Sequence, residues 1–377
     1  MQIGIPAEIV AGETRVAATP ETVKKYVQLG YSVVVQTGAG VASSCTDSAY
    51  QEAGATIAPT AADTYKDADL VLKVRAPQAE EVALIKSGAA VLGIYAPHNN
   101  PNLDAYAQRG ITCYAMELVP RITRAQSADV LSSQANLAGY KAVLMAANEY
   151  QRLFPMLMTA AGTVKPARVV ILGVGVAGLQ AIATAKRLGA VVEANDVRPA
   201  VKEQVESLGG KYIEVQMTEE EKKGAETAGG YAREMSDDYK RRQIELVAKH
   251  VSQADLVITT ALIPGRPAPR LVTGETVAKM KPGSVIVDMA VESGGNVEGA
   301  KAGETVLTAN GVKIIGNTNI PATVAAEASA LYARNLINFL QPMYDKEAKA
   351  FKLNPQDDVI GPTIIVSGGQ VVYKKPA

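Results

Sequence analysis

The amino-acid sequence predicts an α/β protein with parallel sheets and two similar lobes. Short apolar runs alternate with helical patterns in two separate series, and this β-α-β alternation is typical of parallel sheets covered by helices on both faces. A length of 377 residues favours two or three domains over one. Between the two series lies a stretch with few strand formers or breakers, which predicts a long helix that joins the lobes.

The first series starts at the N-terminus with short apolar runs. A helix is predicted over residues 21–29, where Gly30 follows as a stop signal. The predicted strands of this series are residues 3–9, 32–36, 69–74, 89–95 and 111–116. Residues 127–154 then predict one long helix, which is approached by a polar segment at 120–127.

The second series starts at Arg168 and repeats the same alternation. Its predicted strands are residues 169–173, 191–195, 212–215, 256–260, 284–288 and 312–315. A helix from Pro321 to about Leu340 is expected to cross back to the first lobe, and residues 366–373 predict a hairpin. These elements predict one domain of residues 1–132 plus 318–377 and a second domain of residues 133–317.

A long polar stretch, residues 216–242, interrupts the second series. It contains Gly224, Gly229 and Gly230 and two runs of charged residues. Loops of this length in compact domains are usually lids or disordered segments. Two interpretations therefore stay open, a lid over a bound ligand and a solvated insertion.

Composition excludes several classes of protein. Lys plus Arg (38) balance Asp plus Glu (38), so nothing supports nucleic-acid binding or a polybasic membrane anchor. Two cysteines favour a reducing compartment, and two histidines leave little material for a His-rich metal site, so no metal is predicted. Neither a signal peptide nor an apolar run of the roughly 18 residues that suggest a membrane span is present, so any membrane role would require docking on another chain.

The strongest motif is the glycine fingerprint at residues 173–178, Gly-Val-Gly-Val-Ala-Gly. It follows a β-branched strand and opens a helical stretch, as a dinucleotide-binding turn requires. Gly173 permits the tight turn, Gly175 lets the backbone approach a pyrophosphate, and Gly178 lets the helix pack close to the strand. Val174 and Val176 belong to the same predicted cofactor turn. The alternative is a glycine-rich βα turn that binds nothing.

An acidic residue follows the next strand at the expected distance. Asp196 lies 18 residues beyond Gly178 (196 − 178), close to the spacing of about 20 that this fold uses. A carboxylate there binds a ribose 2′-hydroxyl and repels a 2′-phosphate, so we expect NAD(H) rather than NADP(H). Arg198 is a basic residue nearby of the kind that sometimes binds NADP(H), but Asp196 stands at the strand end and carries more weight.

With these residues in view, the sequence resembles the NAD(H)-binding component of proton-translocating nicotinamide nucleotide transhydrogenase over essentially its whole length. The alanine dehydrogenases are a related family. The most specific stretches are residues 120–134, 159–163, 225–235, 259–265 and 294–296.

The resemblance implies two Rossmann-like domains around a cleft, joined by long helices, with NAD(H) on the second domain. It implies a homodimer that docks on an NADP(H)-binding subunit or domain and on a membrane proton-channel subunit. Hydride would pass directly between the two nicotinamides, with Re/Si specificity, while protons cross the membrane. Because the chain stops before any apolar span, we expect the split-subunit form, held in the cytoplasm on the inner face of the cell membrane through its partners.

The resemblance also implies roles for single residues. Arg121 would hold the nicotinamide carboxamide, Gln126 would reach toward the partner's NADP(H), and Asp129 and Ser132 would fix the nicotinamide ring. From composition alone, the alternative interpretation of Arg121, Gln126 and Asp129 is a solvated loop with a helix cap. The further residues implied in cofactor binding are Ile122, Thr123, Asp196, Val197, Arg198, Gly230, Tyr231, Met235, Gln243 and Leu262.

Two other functions remain open. Arg15 and Lys73 match substrate-binding positions of alanine dehydrogenase, and Glu292 stands near the catalytic acid of that family. However, residues 95–97 lack the histidine that it places there, and His98 is out of register. Reduction of an imino acid needs a proton donor. A non-enzymatic NAD-sensing or structural subunit is the third alternative.

Overall fold

The chain forms two compact units. The computed structural model describes residues 1–218, 221, 235–263, 266–348 and 350–374. One unit comprises Met1–Gln134 and Pro321–Ala377, and the other comprises Ala135–Ile320. The sequence predicts the two boundaries at residues 132/133 and 317/318. Within the described residues, no helix has the length and apolar character needed to cross a membrane.

The first unit is built on an eight-stranded sheet. The strands of this unit are β1 (Gln2–Ile5), β2 (Ser32–Gln36), β3 (Thr56–Ala58), β4 (Leu70–Arg75), β5 (Ala90–Ile94), β6 (Thr112–Ala115), β16 (Tyr344–Asp345), β17 (Ala350–Phe351), β18 (Ile364–Ser367) and β19 (Gln370–Val371). The sheet has the order β19-β18-β6-β5-β4-β1-β2-β3. Strands β1–β6 are parallel, whereas β18 and β19 pair antiparallel at one edge. The predicted α/β class is confirmed, with the correction that this sheet is mixed.

The second unit is built on a seven-stranded sheet. The strands of this unit are β7 (Leu157–Thr159), β8 (Gly162–Val164), β9 (Arg168–Leu172), β10 (Val191–Asn195), β11 (Lys211–Tyr212), β12 (Leu256–Thr259), β13 (Val285–Asp288), β14 (Thr305–Leu307) and β15 (Lys313–Ile315). The sheet has the order β11-β10-β9-β12-β13-β15-β14, so its parallel strands follow the order 3-2-1-4-5-6 of doubly wound dinucleotide-binding folds. The order reverses between β9 and β12, which is where such folds bind ligands.

Helices cover the faces of both sheets. The α-helices of the described residues are α1 (Pro20–Gln28), α2 (Asp47–Glu52), α3 (Ala61–Tyr65), α4 (Ala79–Val82), α5 (Leu103–Arg109), α6 (Val130–Glu149), α7 (Val176–Arg187), α8 (Val201–Ser207), α9 (Asp237–Val251), α10 (Gly274–Ala278) and α11 (Ala325–Leu340). Helix α1 ends where Gly30 adopts a φ of 91°, so the predicted stop is confirmed.

The long helix predicted over residues 127–154 is shorter at both ends. Residues Thr123–Ala128 form a 3₁₀ turn, and α6 begins only after Asp129, whose side chain accepts a hydrogen bond from the Ser132 backbone N–H. At the other end, Pro155 disfavours helical backbone before it, and the chain turns into the β7–β8 hairpin. Helix α6 carries the chain from the first unit into the second.

The polar stretch at residues 216–242 is not a loop throughout. Helix α9 begins inside it at Asp237, after Ser236 accepts the Tyr239 N–H as a helix cap. The helix buries Tyr239, Gln243, Val247 and Val251, which recur every four residues along one face. The polar residues of its first turn hide this pattern, so the prediction of a loop up to residue 242 is wrong from residue 237 onward.

Candidate functional site

The glycine fingerprint links β9 to α7 in the second unit. Strand β9 ends at Leu172, Gly173 turns with a φ of 94°, and α7 begins at Val176. Glycine is favoured at that φ because it has no Cβ. The Gly173 N–H donates to the Asn195 carbonyl over 2.9 Å, so the turn is fastened to the carboxyl end of β10.

The other two glycines of the fingerprint, Gly178 and Gly175, have different surroundings. A Cβ on Gly178 would lie 2.0 Å from the Gly173 carbonyl oxygen, so only glycine allows α7 to lie this close to the turn. Among the described residues, a Cβ on Gly175 would meet only the Arg198 guanidinium, at 4.0 Å. Gly175 is also the cap residue of α7, and it has no side chain to bond the first N–H groups of that helix. Oriented N–H groups beside open space fit the pyrophosphate of a dinucleotide.

Asp196 secures the same turn from the end of β10. Its Oδ2 accepts the Val174 N–H over 2.7 Å and an Arg198 Nη2–H over 2.9 Å, and its Oδ1 accepts the Arg198 backbone N–H and Nε–H, each over 2.9 Å. An ionised carboxylate offers about four acceptor sites, and these four bonds use them. A ribose hydroxyl that binds Asp196 therefore has to share the carboxylate with Arg198.

The structure brings other predicted cofactor residues close to Asp196. Met235 is buried against Val215 and Tyr239, and Val197 packs on the same small cluster. Gln243 is buried and donates from Nε2 to the Asn195 side-chain oxygen over 2.8 Å, so it supports the end of β10. Within this unit these contacts place Met235, Val197 and Gln243 around the strand end that precedes Asp196.

Two predicted cofactor residues, Gly230 and Tyr231, lie outside the described residues, as does most of the predicted lid. Leu262 lies in the segment after β12 and is 47% exposed.

The predicted transfer residues lie in the first unit. Four of the predicted side chains in and beside the 3₁₀ turn Thr123–Ala128 are exposed, namely Arg121, Ile122, Thr123 and Gln126. Arg124 anchors the turn, since its guanidinium pairs with both oxygens of Asp357 over 2.9 and 3.1 Å. The hydrogen bonds from Arg124 lower the pKa of Asp357 to about 2. Asn335 on α11 donates to the Ser127 carbonyl over 2.8 Å.

Asp129 and Ser132 form a helix cap at the start of α6. One Asp129 carboxylate oxygen accepts the Ser132 N–H over 2.9 Å, and the other accepts the Ser132 hydroxyl over 2.6 Å. The two predicted ring contacts are thus brought together, and they serve at least the capping role that composition alone suggested.

Arg15 and Lys73 are buried and already paired. The Arg15 guanidinium donates twice to Glu13, each over 2.7 Å, and the Lys73 ammonium lies 2.7 Å from Glu81 and 3.4 Å from Glu8. Burial raises the pKa of Glu8. Burial also acts to raise the pKa of Glu13, but the Arg15 hydrogen bonds and charge outweigh it and bring the pKa to about 2. Both cations are therefore neutralised by carboxylates of this chain.

Residues 95–97 are Tyr, Ala and Pro, so the histidine that alanine dehydrogenase places there is replaced. The His98 ring lies 3.0 Å from the Tyr373 hydroxyl, and Glu292 is exposed in the 3₁₀ turn Val291–Ser293. Among the described side chains, no group of three His, Cys, Asp or Glu residues lies close enough together to hold a metal ion.

Sequence reasoning missed several polar side chains that hold these segments. Thr260 and Asn296 lie beside the glycine turn, and Asn335 and Asp357 hold the 3₁₀ turn of the first unit. Each of the four has a hydrogen-bond partner at least 35 positions away along the chain, which no local pattern could indicate. The stretches 259–265 and 294–296 stand out in the sequence only through the family resemblance.

Comparison with known proteins agrees with this geometry. The family profile "Alanine dehydrogenase/PNT, N-terminal domain" matches residues 4–138, and "Alanine dehydrogenase/PNT, C-terminal domain" matches residues 142–374. A protein from Rhodospirillum rubrum, named as the first part of NAD(P) transhydrogenase subunit alpha, is 56% identical over 99% of this chain and 98% of its own. A transhydrogenase from Sinorhizobium meliloti has a crystal structure with 52% identity and a TM-score of 0.89, covering 99% of this chain and 100% of that one.

Alanine dehydrogenases are more distant. The alanine dehydrogenase of Mycolicibacterium smegmatis is 33% identical over 80% of this chain and 75% of its own. The resemblance inferred from the sequence motifs is confirmed. The chain belongs to the Alanine dehydrogenase/PNT family and, within it, to the family of NAD(P) transhydrogenase alpha subunits.

Proposed function

We propose that the chain is the NAD(H)-binding component of a proton-translocating transhydrogenase, and that it exchanges hydride between NAD(H) bound here and NADP(H) bound on a partner. The observation that carries this proposal is the glycine turn at the point where the second sheet reverses its strand order, with Asp196 at the end of the adjacent strand. Membership of the transhydrogenase alpha-subunit family supports it.

The second unit would bind the nucleotide through its backbone and Asp196. Residues 173–176 and the N-terminus of α7 would hold the pyrophosphate, because N–H groups and the helix dipole favour an anion there. Asp196 would accept a ribose hydroxyl and repel the 2′-phosphate of NADP(H). Arg198 does not reverse this preference, because its guanidinium is committed to the same carboxylate.

The transfer step requires positioning rather than acid–base chemistry. The nicotinamide supplies the hydride chemistry when bound. We propose that Arg121 holds its carboxamide, that Gln126 faces the partner's nucleotide, and that Asp129 and Ser132 fix the ring region, with Ile122 and Thr123 beside them. The exposed side chains of this turn and its anchoring by Arg124 support a surface that meets another molecule. Such transfer needs two rings in close, dry contact.

We propose that a second copy of the chain covers the β7–β8 hairpin, which gives the homodimer. Met156 is 61% exposed, Leu157 44% and Met158 75%. An isolated two-stranded hairpin is marginally stable in water, and a contiguous exposed apolar patch marks an interface. The hairpin carries no net charge between residues 156 and 164, which suits contact with an identical surface.

Similarity to transhydrogenase alpha subunits supports the proposal of further partners. The relative from Rhodospirillum rubrum is named as a portion of one subunit, and such a name implies further subunits. We propose an NADP(H)-binding subunit and a membrane proton-channel subunit as partners, which would hold this chain on the inner face of the cell membrane. The hydride exchange would then be Re/Si-specific and dependent on the NADP(H)-binding partner.

The proposal is tested by equilibrium titration of the purified chain with NADH and NADPH, followed by an assay of NAD⁺ reduction with L-alanine. We expect NADH to bind more tightly than NADPH and L-alanine to reduce no NAD⁺. Equal affinities for the two nucleotides would contradict the role of Asp196. Turnover with L-alanine would favour the alanine dehydrogenase alternative, for which the presence of Arg15 and Lys73 is the specific argument.

A further inference from the structure

A buried amide links two distant segments beside the glycine turn of the second unit. Asn296 is fully buried, and its Oδ1 accepts the Ala261 N–H over 3.0 Å. Its Nδ2 donates to the Ala261 carbonyl over 2.9 Å and to the Pro269 carbonyl over 2.8 Å. One side chain thus satisfies both backbone groups of Ala261 and the last carbonyl before Arg270, using both of its donors and its acceptor.

Ala261 itself packs directly against the glycine turn. A Cβ on Gly173 would lie 2.8 Å from the Ala261 nitrogen, so the two backbones are in direct contact. The neighbouring Thr260 donates from its hydroxyl to the Gly173 carbonyl over 2.9 Å, and its N–H donates to the Leu172 carbonyl over 2.8 Å. The position of Ala261 therefore determines where the turn that would receive the pyrophosphate can sit.

The backbone around Asn296 is also held by hydrogen bonds. Asp288, fully buried at the end of β13, accepts the Val297 N–H and the Ala290 N–H, each over 3.0 Å. The Asn296 carbonyl accepts the N–H groups of Leu271 and Val272 over 2.8 and 3.0 Å. These hydrogen bonds fix the backbone of Asn296 and Val297. Because the Asn296 side chain starts from this fixed backbone, it holds Ala261 at a set distance from the end of β13.

We infer that Asn296 is a positioning residue for the nucleotide site: it acts through Ala261 and Thr260 to hold the glycine turn in the conformation that binds NAD(H). This inference rests on the proposed function. It differs from a plain stabilising role, because its effect should appear in the affinity for NADH of protein that is fully folded.

The experiment compares Asn296→Ala with Asn310→Ala. Asn310 is a matched control, since its Nδ2 also donates to backbone carbonyls, those of Val277 over 3.0 Å and Met280 over 3.2 Å, but at the end of α10 and in no contact with the turn described here. Both variants should melt at a lower temperature than the unmodified chain. NADH affinity is then measured by titration at a temperature at which circular dichroism shows every variant to be folded.

We expect Asn296→Ala to weaken NADH binding while Asn310→Ala leaves it unchanged. If the binding-competent turn falls to a tenth of the population, the apparent Kd rises about tenfold. With a partner and saturating NADH, hydride transfer by Asn296→Ala should recover toward the unmodified rate, because the loss lies in binding. If Asn296→Ala does not fold, Thr260→Val, which removes only the hydroxyl bond to Gly173, should show the same loss of affinity.

Two results would overturn the inference. One is unchanged NADH affinity in Asn296→Ala, or in Thr260→Val where that variant replaces it. The other is an equal loss of affinity in Asn310→Ala, which would show a general effect of destabilisation. Failure of the unmodified chain to bind NADH is a separate result, because it would refute the proposed function itself.

Discussion

Replacing Gly175 by alanine separates the nucleotide site from the stability of the fold. Gly175 has φ −79° and ψ −165°, which alanine adopts without strain. Its added methyl would meet only the Arg198 guanidinium among the described residues, at 4.0 Å, an ordinary contact. The folded unit should therefore tolerate the change. Stability should change little, because two small effects oppose each other. Alanine restricts the unfolded chain more than glycine does, which stabilises by about 0.4–1 kcal/mol, but alanine is a poorer residue than glycine at the cap of α7.

The same methyl would occupy the space through which a pyrophosphate approaches the N-terminal N–H groups of α7. Losing one hydrogen bond to a charged group costs roughly 1.5–3 kcal/mol. Because about 1.4 kcal/mol corresponds to a factor of ten, NADH affinity should fall by roughly ten- to a hundredfold. Gly175→Ala should therefore bind NADH weakly and melt close to the temperature of the unmodified chain.

Fluorescence titration with NADH and thermal melting measure the two effects. Gly93→Ala is the control. Gly93 lies in β5 of the first unit, and a Cβ there would be an ordinary 3.5 Å from its nearest neighbour, the Lys73 carbonyl oxygen. Gly178→Ala should behave differently from both and melt lower, since its Cβ would lie 2.0 Å from a backbone oxygen. Unmodified NADH affinity in Gly175→Ala would refute the placement of the pyrophosphate at this turn.

Four further predictions concern other parts of the molecule. Asp196→Asn should raise the affinity for NADPH relative to NADH by about tenfold, since a unit charge near a phosphate is worth roughly 1–4 kcal/mol; an unchanged ratio in paired titrations would argue against this residue. Gln126→Ala should keep NADH binding but slow partner-dependent transfer by about a hundredfold, whereas Arg121→Ala should also lose roughly 1–3 kcal/mol of binding; transfer by Gln126→Ala at the unmodified rate would remove that residue from the site. Met158→Asp should shift the mass in solution from dimer toward monomer, as sedimentation would show, and a persistent dimer would place the interface elsewhere. The chain should lose stability as the pH falls from about 4.5 to about 2. Ionised Glu13 stabilises the fold at any pH above its unfolded pKa, and this stabilisation is lost as the pH drops through its folded pKa. The free energy of unfolding in urea should depend less on pH over that range in Glu13→Gln.

Local signals are enough to predict the strand–turn–helix at the fingerprint. The reason is that β9, Gly173 and α7 are adjacent in the chain, and Gly173 and Gly178 each have a backbone or packing demand that no other residue meets. The central strands are predictable for a similar reason, since buried parallel strands read as continuous apolar runs. The short edge strands β3 and β14 escape prediction because a run of three residues is too short to show a periodic pattern.

The details of the site depend on contacts between distant parts of the chain. Asp129 could be predicted as a helix cap, but its place after a 3₁₀ turn that Arg124 and Asp357 anchor could not. Asn296 has no local signature, because its partner Ala261 lies 35 residues earlier. The pairing of Arg198 with Asp196 is local in sequence, yet its geometry depends on the turn that Val174 forms.

The most direct test of the account follows the hydride itself. NADH carrying deuterium at the transferable position of its nicotinamide is mixed with this chain, an NADP(H)-binding partner and NADP⁺, and the NADPH formed is analysed by mass spectrometry. We expect NADPH to gain the deuterium without dilution by solvent protons, and only when both proteins are present. NADPH that forms without the label, or labelled NADPH that forms without this chain, would contradict the claim that this chain binds the NADH that donates the hydride.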